Sequence, residues 1–243
     1  MLNAMAFPTV RAYDPAFHYE VNVIVFEGLK RLYEDGDTAI YYMMVGNENY
    51  VMPAMPKGCE EGIIKGMYKY RSKDVKGAKH HVQLLGSGAI LNGVLKAQEI
   101  LADKYKISSD VWSVTSYTEL RREAHECSRW NMLHPTKKPK QSYLEKVTAK
   151  SKGPFIAASD YVIAHSEQIA PFLPDDMLCL GTDGMGRSET RPALRRHFEV
   201  DSEFVTIATL YKLAQQGHLD AKEVEKAIKD LDVDPEKISP LYA

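Results

Sequence analysis

From His80 onward the chain alternates short apolar runs with helical segments, and few architectures accept that alternation. His81–Leu85, Asp110–Thr115, Phe155–Ala158 and Met177–Leu180 have strand length, and each hands over to a stretch with helical signals. Strands that alternate with helices form a mostly parallel sheet with helices on both faces, the doubly wound α/β arrangement. The connecting signals agree. Gly86-Ser87-Gly88 opens a helix reaching about Tyr105, and Ser116-x-x-Glu119 is a capping box for a helix through Leu120, Ala124 and Cys127 that Pro135 stops. A short helix starts at Ser142 and another near His165. After the last strand, Gly181, Gly184 and Gly186 make a sharp loop, with Ser188 or Thr190 placed to cap a helix whose first turn holds Pro192. Asp201 and Asp220 each cap a further helix, the first ending at Gly217 and the second carrying Glu223 at the capping-box position.

The first fifty residues follow a different logic. Phe7–Tyr13 reads as a strand, Asp14-Pro15 as a helix start, and Phe17, Val21, Ile24, Gly28 and Leu32 as a buried helical stripe widened by Val25 and Leu29. Gly28 is placed to let a neighbour approach closely. After an Asp35-Gly36-Asp37 turn, Thr38–Val45 is a continuous aromatic and aliphatic run, the pattern of a strand covered on both faces. One helix between two strands implies a parallel pair, and a parallel pair with one helix cannot cover both faces of its sheet. Residues up to about Tyr50 therefore read as the last piece of a larger domain. The proline-rich path from Gly46 to Gly58 marks the boundary, which divides the chain into 1–57 and 58–243. Without a partner, the helix from Asp14 to Glu34 is expected to expose apolar surface and to promote self-association.

Composition removes several classes of function. A formal net charge of -2 over 243 residues offers no concentrated basic face for nucleic acid. The runs Lys65–Lys79 and Lys137–Lys140 are expected to be solvated connectors. No window spans a bilayer and no leader is evident, so no membrane partner is expected. Cys59, Cys127 and Cys179 are too dispersed for a disulfide framework or a zinc site, which suits a reducing cytoplasm.

Familiar catalytic motifs fail one by one. Gly86-Ser87-Gly88 lacks the third glycine of a dinucleotide fingerprint, with Leu91 in its place, and no acidic residue closes the next strand. His125-Glu126-Cys127 with His134 would have to straddle a helix end to share an ion, and His80 and His81 point to opposite sides of a strand. The polar residues with most promise are Asn47, Glu48, Asn49 and Tyr50, which leave the C-terminal end of a strand where α/β ligand crevices lie. The glycine loop adds Asp183, Arg187 and Arg191, charges that either pair with one another or face another surface.

Four stretches, taken together, resemble the homodimeric type of pyruvate dehydrogenase, the decarboxylating component of its complex. They are Asn47–Tyr50 through Met52-Pro53-Ala54-Met55-Pro56, then Leu84–Gly88, then Arg129-Trp130-Asn131-Met132-Leu133-His134-Pro135, and finally Leu180–Ser188. They occur in the family's order and spacing along the whole chain, with Met185 where the family usually has phenylalanine. The resemblance implies the tail of a pyrimidine-binding domain followed by a complete transketolase-like C-terminal domain. It implies partners as well: the upstream part of the same enzyme, a second copy in a homodimer, and the dihydrolipoyl acetyltransferase core. In this family thiamine diphosphate with magnesium supplies the carbanion chemistry that decarboxylates pyruvate and passes an acetyl unit to lipoyl groups. The motif for that cofactor does not occur here, so no catalytic, cofactor or metal residue is expected in this chain and no cofactor is expected on it alone. The other expectation is a non-catalytic dimerisation or docking module of the same complex.

Overall fold

The computed structural model describes residues 1–243. Its main body is a five-stranded sheet built from β3 (Met67–Lys73), β4 (His81–Gly86), β5 (Ser108–Val114), β6 (Phe155–Ala158) and β7 (Met177–Leu180), in the order β3-β5-β4-β6-β7. Strands β5, β4, β6 and β7 run parallel, as the alternation predicts. Strand β3 was not anticipated. It is an antiparallel edge strand with a register shift between Lys69 and Arg71, drawn from the lysine-rich stretch read above as a connector. Alternating lysines resemble a solvated segment until a neighbouring strand pairs with it: Met67 and Tyr68 are buried in the cores on opposite faces of the sheet, while Lys69 reaches back to Asp110 at 2.8 Å. A short helix, α2 (Glu60–Lys65), precedes this strand, and another, α6 (Ala164–Glu167), lies between β6 and β7.

Each face of the sheet is covered by its own helices. Val82 and Leu84 of β4 and Ile156 and Ala158 of β6 enter one core with helices α3 (Leu91–Tyr105), α8 (Ser202–Gln215) and α9 (Ala221–Asp230). Leu85, Phe155 and Ala157 enter the opposite core with Trp112, against α4 (Tyr117–Leu133) and α5 (Tyr143–Thr148). This is the period-2 alternation of a strand buried on both faces. Capping followed the sequence at three helices: Ser116, Asp201 and Asp220 accept from the backbone N–H of Glu119, Phe204 and Lys222. Neither Glu119 nor Glu223 completes the capping box its position offers; the Glu119 carboxylate turns instead to Arg11 at 2.9 Å.

The N-terminal segment forms a second, two-stranded sheet. β1 (Val10–Tyr13) and β2 (Ile40–Met43) pair in parallel across α1 (His18–Leu29), which continues through one π-helical turn (Lys30–Glu34). The neighbour that needs Gly28 is Tyr41: a Cβ there would lie 3.2 Å from its ring. Two expectations change. Asp14 does not cap the helix; Phe17 occupies the cap position, and the buried Glu20 carboxylate accepts the N–H groups of Ala16 and Phe17. Strand β2 is not covered on both faces, since Ile40 is 62% exposed and Tyr42 43%. The apolar exposure expected on α1 is present, with Phe26 72% exposed, and Val25 and Leu29, read as widening the buried stripe, belong to that exposed face. Tyr13, Ala16, Phe17, Tyr19 and Ile24 nevertheless join the first core of the large sheet, so the segment is docked on the main body.

Candidate functional site

Strand β4 lies between its successors, with β5 on one side and β6 on the other, so the chain reverses its winding direction there. In open α/β sheets the crevice beyond the carboxyl ends of the strands at such a point is the usual ligand position. Here the floor of the crevice is filled by the protein itself. Asp14, just beyond β1, donates its N–H to Thr115 O at 2.7 Å, and its own carbonyl accepts from Gly88 N–H at 3.1 Å. A Cβ on Gly88, whose φ is +50°, would lie 2.6 Å from Asp14 Oδ1. The glycine that suggested a phosphate loop therefore makes room for an internal carboxylate. Burial pushes the Asp14 carboxyl up to about 7, against the pull of the Ser87 and Tyr161 hydroxyls beside it.

Above that floor lies an open cleft of about 460 Å³, between the residue 46–48 loop, the glycine loop and α7 (Arg191–His197). The loop is held from behind. Asp183 Oδ2 accepts the N–H of Ile163 at 2.7 Å, and Thr182 N–H donates to Tyr161 O at 2.8 Å. A Cβ on Gly181 would sit 2.4 Å from Tyr161 O, and one on Gly184, at φ +113°, would sit 2.2 Å from Pro240 O. Packing therefore demands both glycines, whereas Gly186 has nothing within 4 Å of its missing Cβ. Thr190 holds the cap position of α7 with no side-chain hydrogen bond, and the N-capping contact expected of Ser188 or Thr190 is not made.

The electrostatics of the cleft are those of crowded guanidinium groups. Arg195 grips Glu48 with both terminal nitrogens, one at 3.1 Å from Oε1 and the other on Oε2. Arg191 donates to Asn47 Oδ1 and holds its Nε 3.8 Å from Glu48 Oε2. Of the seven residues singled out from the sequence, Asn47, Glu48, Arg187 and Arg191 line the cleft, Asp183 braces its loop, and two lie elsewhere. Asn49 is exposed, and Tyr50 turns inward to donate its hydroxyl to Ala16 O. Arg195, Asp160 and Thr182 also line the cleft and were missed. Arg195 was accessible in principle, because it follows Arg191 by one helical turn.

A second polar centre lies under the N-terminal segment. Glu20 Oε1 accepts from the Tyr68 hydroxyl at 2.7 Å and the Ser113 hydroxyl at 2.6 Å, and Tyr68 in turn meets the Tyr19 hydroxyl at 2.6 Å. Burial raises the Glu20 carboxyl despite these donors. No three His, Cys, Asp or Glu side chains stand close enough to hold a metal ion. His81 approaches Asp110 at 3.3 Å while His80 packs near His218, on opposite sides of the chain as the strand alternation requires.

Comparison with known proteins places these features in a family. Residues 66–201 match the model described as the transketolase-like C-terminal domain, and residues 1–53 match the middle domain of the pyruvate dehydrogenase E1 component. Curated relatives named pyruvate dehydrogenase E1 component include one from Pseudomonas aeruginosa, 49% identical over 241 residues, and one from Escherichia coli, 47% identical over 244. The alignments cover 99% and 100% of this chain but 27% of each relative, so the chain spans about a quarter of their length. Among solved structures, a Pichia stipitis transketolase aligns with TM-score 0.62 at 17% identity, covering 90% of this chain and 27% of that one. A protein titled split gene transketolase, inactive beta4 tetramer, aligns with TM-score 0.53 at 15% identity, covering 87% of this chain and 60% of that one. These structural likenesses show the fold.

Proposed function

The chain belongs to the transketolase-like C-terminal domain family, and from that premise we propose that it serves as the C-terminal quarter of a thiamine-diphosphate-dependent pyruvate dehydrogenase. The observation that carries the reading is identity of 47–49% along essentially the whole chain to relatives of that name. The division at about residue 57 separates the tail of a pyrimidine-binding domain from the C-terminal domain. The role of this portion is architectural: it supports the pyrimidine domain from below through the buried Asp14 and Glu20 contacts and extends the contact between two copies of the enzyme.

The residues of this chain do not fit the diphosphate and its magnesium. The Gly86-Ser87-Gly88 turn, where a diphosphate would sit against a helix start, is filled by Asp14, and no three His, Cys, Asp or Glu side chains stand close enough to hold the magnesium. No catalytic step is therefore assigned to them. Decarboxylation needs the upstream portion, which supplies the cofactor cradle, and the acetyl unit then passes to the lipoyl groups of an acetyltransferase core in the cytoplasm.

The open edge of β2 and the exposed side chains Phe26, Ile40 and Val45 support an upstream partner, since a two-stranded parallel sheet needs further strands and helices to cover it. The test is reconstitution. Alone, the chain should give no stoichiometric heat when titrated with thiamine diphosphate and magnesium. Mixed with a polypeptide spanning the remaining three quarters of a relative, it should restore pyruvate decarboxylation. A stoichiometric site on the isolated chain, or a stable mixed complex that leaves pyruvate untouched, would sink the reading.

A further inference from the structure

Three observations about the cleft above the crevice converge on a ligand. It lies beyond the carboxyl ends of the strands at the point where the winding reverses, the usual binding position in open α/β sheets. Its volume of about 460 Å³ falls within the common range of small-molecule sites. Its charges are incompletely matched, with three guanidinium groups, Arg187, Arg191 and Arg195, against the carboxylates of Glu48 and Asp160. Glu48 satisfies Arg195 through a two-point contact and Arg191 only at 3.8 Å, while Arg187 forms no ion pair. Gly186, beside Arg187, has open space where a side chain would be, although packing does not require a glycine there.

We propose that this cleft is a binding site for a small dianion, a phosphate group or a dicarboxylate, held by Arg187 and Arg191 at the rim of the glycine loop. The forked guanidinium matches the planar edge of a carboxylate or two oxygens of a phosphate, as the Glu48–Arg195 pair already shows within the same cleft. Arg195 stays engaged with Glu48 and Arg191 itself bonds Asn47, so a ligand on Arg191 borders both the residue 46–48 loop and α7. Occupancy therefore ties the N-terminal segment to the C-terminal domain, and a ligand that binds only the docked arrangement stabilises it by mass action.

Calorimetry on the full chain, in a buffer without phosphate or carboxylate, tests this with inorganic phosphate in one arm and succinate in the other. One saturable site per chain is expected in at least one arm, and the arm that responds identifies the source of the dianion. Arg187 is exposed and unpaired, so R187A should fold normally and weaken the interaction; R187A/R191A should weaken it by at least about tenfold. A control pair on the exposed turn, K137A/K138A, should bind as the unaltered chain does. The proposal is overturned by the absence of saturable heat in both arms up to about 10 mM, or by equal affinity in R187A/R191A. Neither arm contains thiamine diphosphate, so failure here leaves the reconstitution experiment unaffected, and failure there leaves this site standing.

Discussion

Strands β2 and β6 are each four residues long and each pairs in parallel, yet they end in opposite environments. Every residue of β6 is buried, flanked by β4 and β7 and roofed by helices on both faces. Strand β2 has β1 on one edge, nothing on the other, and alternating exposed and half-buried positions. Both are written in strand-forming residues: Phe155-Ile156-Ala157-Ala158 against Ile40-Tyr41-Tyr42-Met43. Strand chemistry alone therefore does not distinguish a finished sheet from an unfinished one. Counting the helices available to cover it does.

Truncation separates the two most sharply. Ile156→Ala should cost about 2–5 kcal/mol, because the removed atoms leave a cavity between close-packed layers. Ile40→Ala, at 62% exposure, should stay within about 0.5 kcal/mol in the isolated chain. Urea denaturation measures both; equal costs would mean that the N-terminal sheet is as complete as the large one. With an upstream portion bound, the cost of Ile40→Ala should rise.

The seam between the regions comes next. Glu20 accepts four hydrogen bonds at the junction, two from backbone N–H groups of the N-terminal segment and two from hydroxyls of Tyr68 and Ser113 on the main sheet. Glu20→Gln replaces one accepting oxygen with a donor and leaves buried partners facing it, which should destabilise by about 1.5–3 kcal/mol. If the midpoint in urea does not move, the two regions are not joined through this carboxylate.

The last contrast is a pH slope. Burial raises the Asp14 carboxyl to about 7, so between the ordinary carboxylate range and that value the folded chain holds a proton the unfolded chain has lost. The contribution of Asp14 is complete at low pH and falls away as pH rises through about 7. Asp14→Asn should flatten that part of the stability profile, measured by thermal unfolding across the range. A profile as steep as that of the unaltered chain would show that the slope arises elsewhere.

Much of this architecture was legible because its causes are local. Phe155–Ala158 and Met177–Leu180 matched their strands residue for residue, and Ser116, Asp201 and Asp220 capped their helices, since a cap and a strand period involve neighbours a few residues apart. The candidate site was half legible. Asn47, Glu48, Arg187 and Arg191 met in one cleft because both loops leave carboxyl ends of strands, whereas Asn49 and Tyr50 followed the same loop away from it.

What the sequence determined by itself is therefore the order of strands and helices from β4 onward, the parallel winding and the shortage of cover over the sheet of the first fifty residues, all of which follow from periodicity, caps and the coverage a parallel sheet requires. The tertiary structure decided the rest. It made a lysine-rich stretch into an antiparallel edge strand against β5, turned Asp14 from a helix cap into the filling of a crevice, and set Glu48 on Arg195. Each of these joins residues separated by about forty to one hundred and fifty positions. Burial and charge pairing at such distances depend on which surfaces meet, and only the folded chain specifies that.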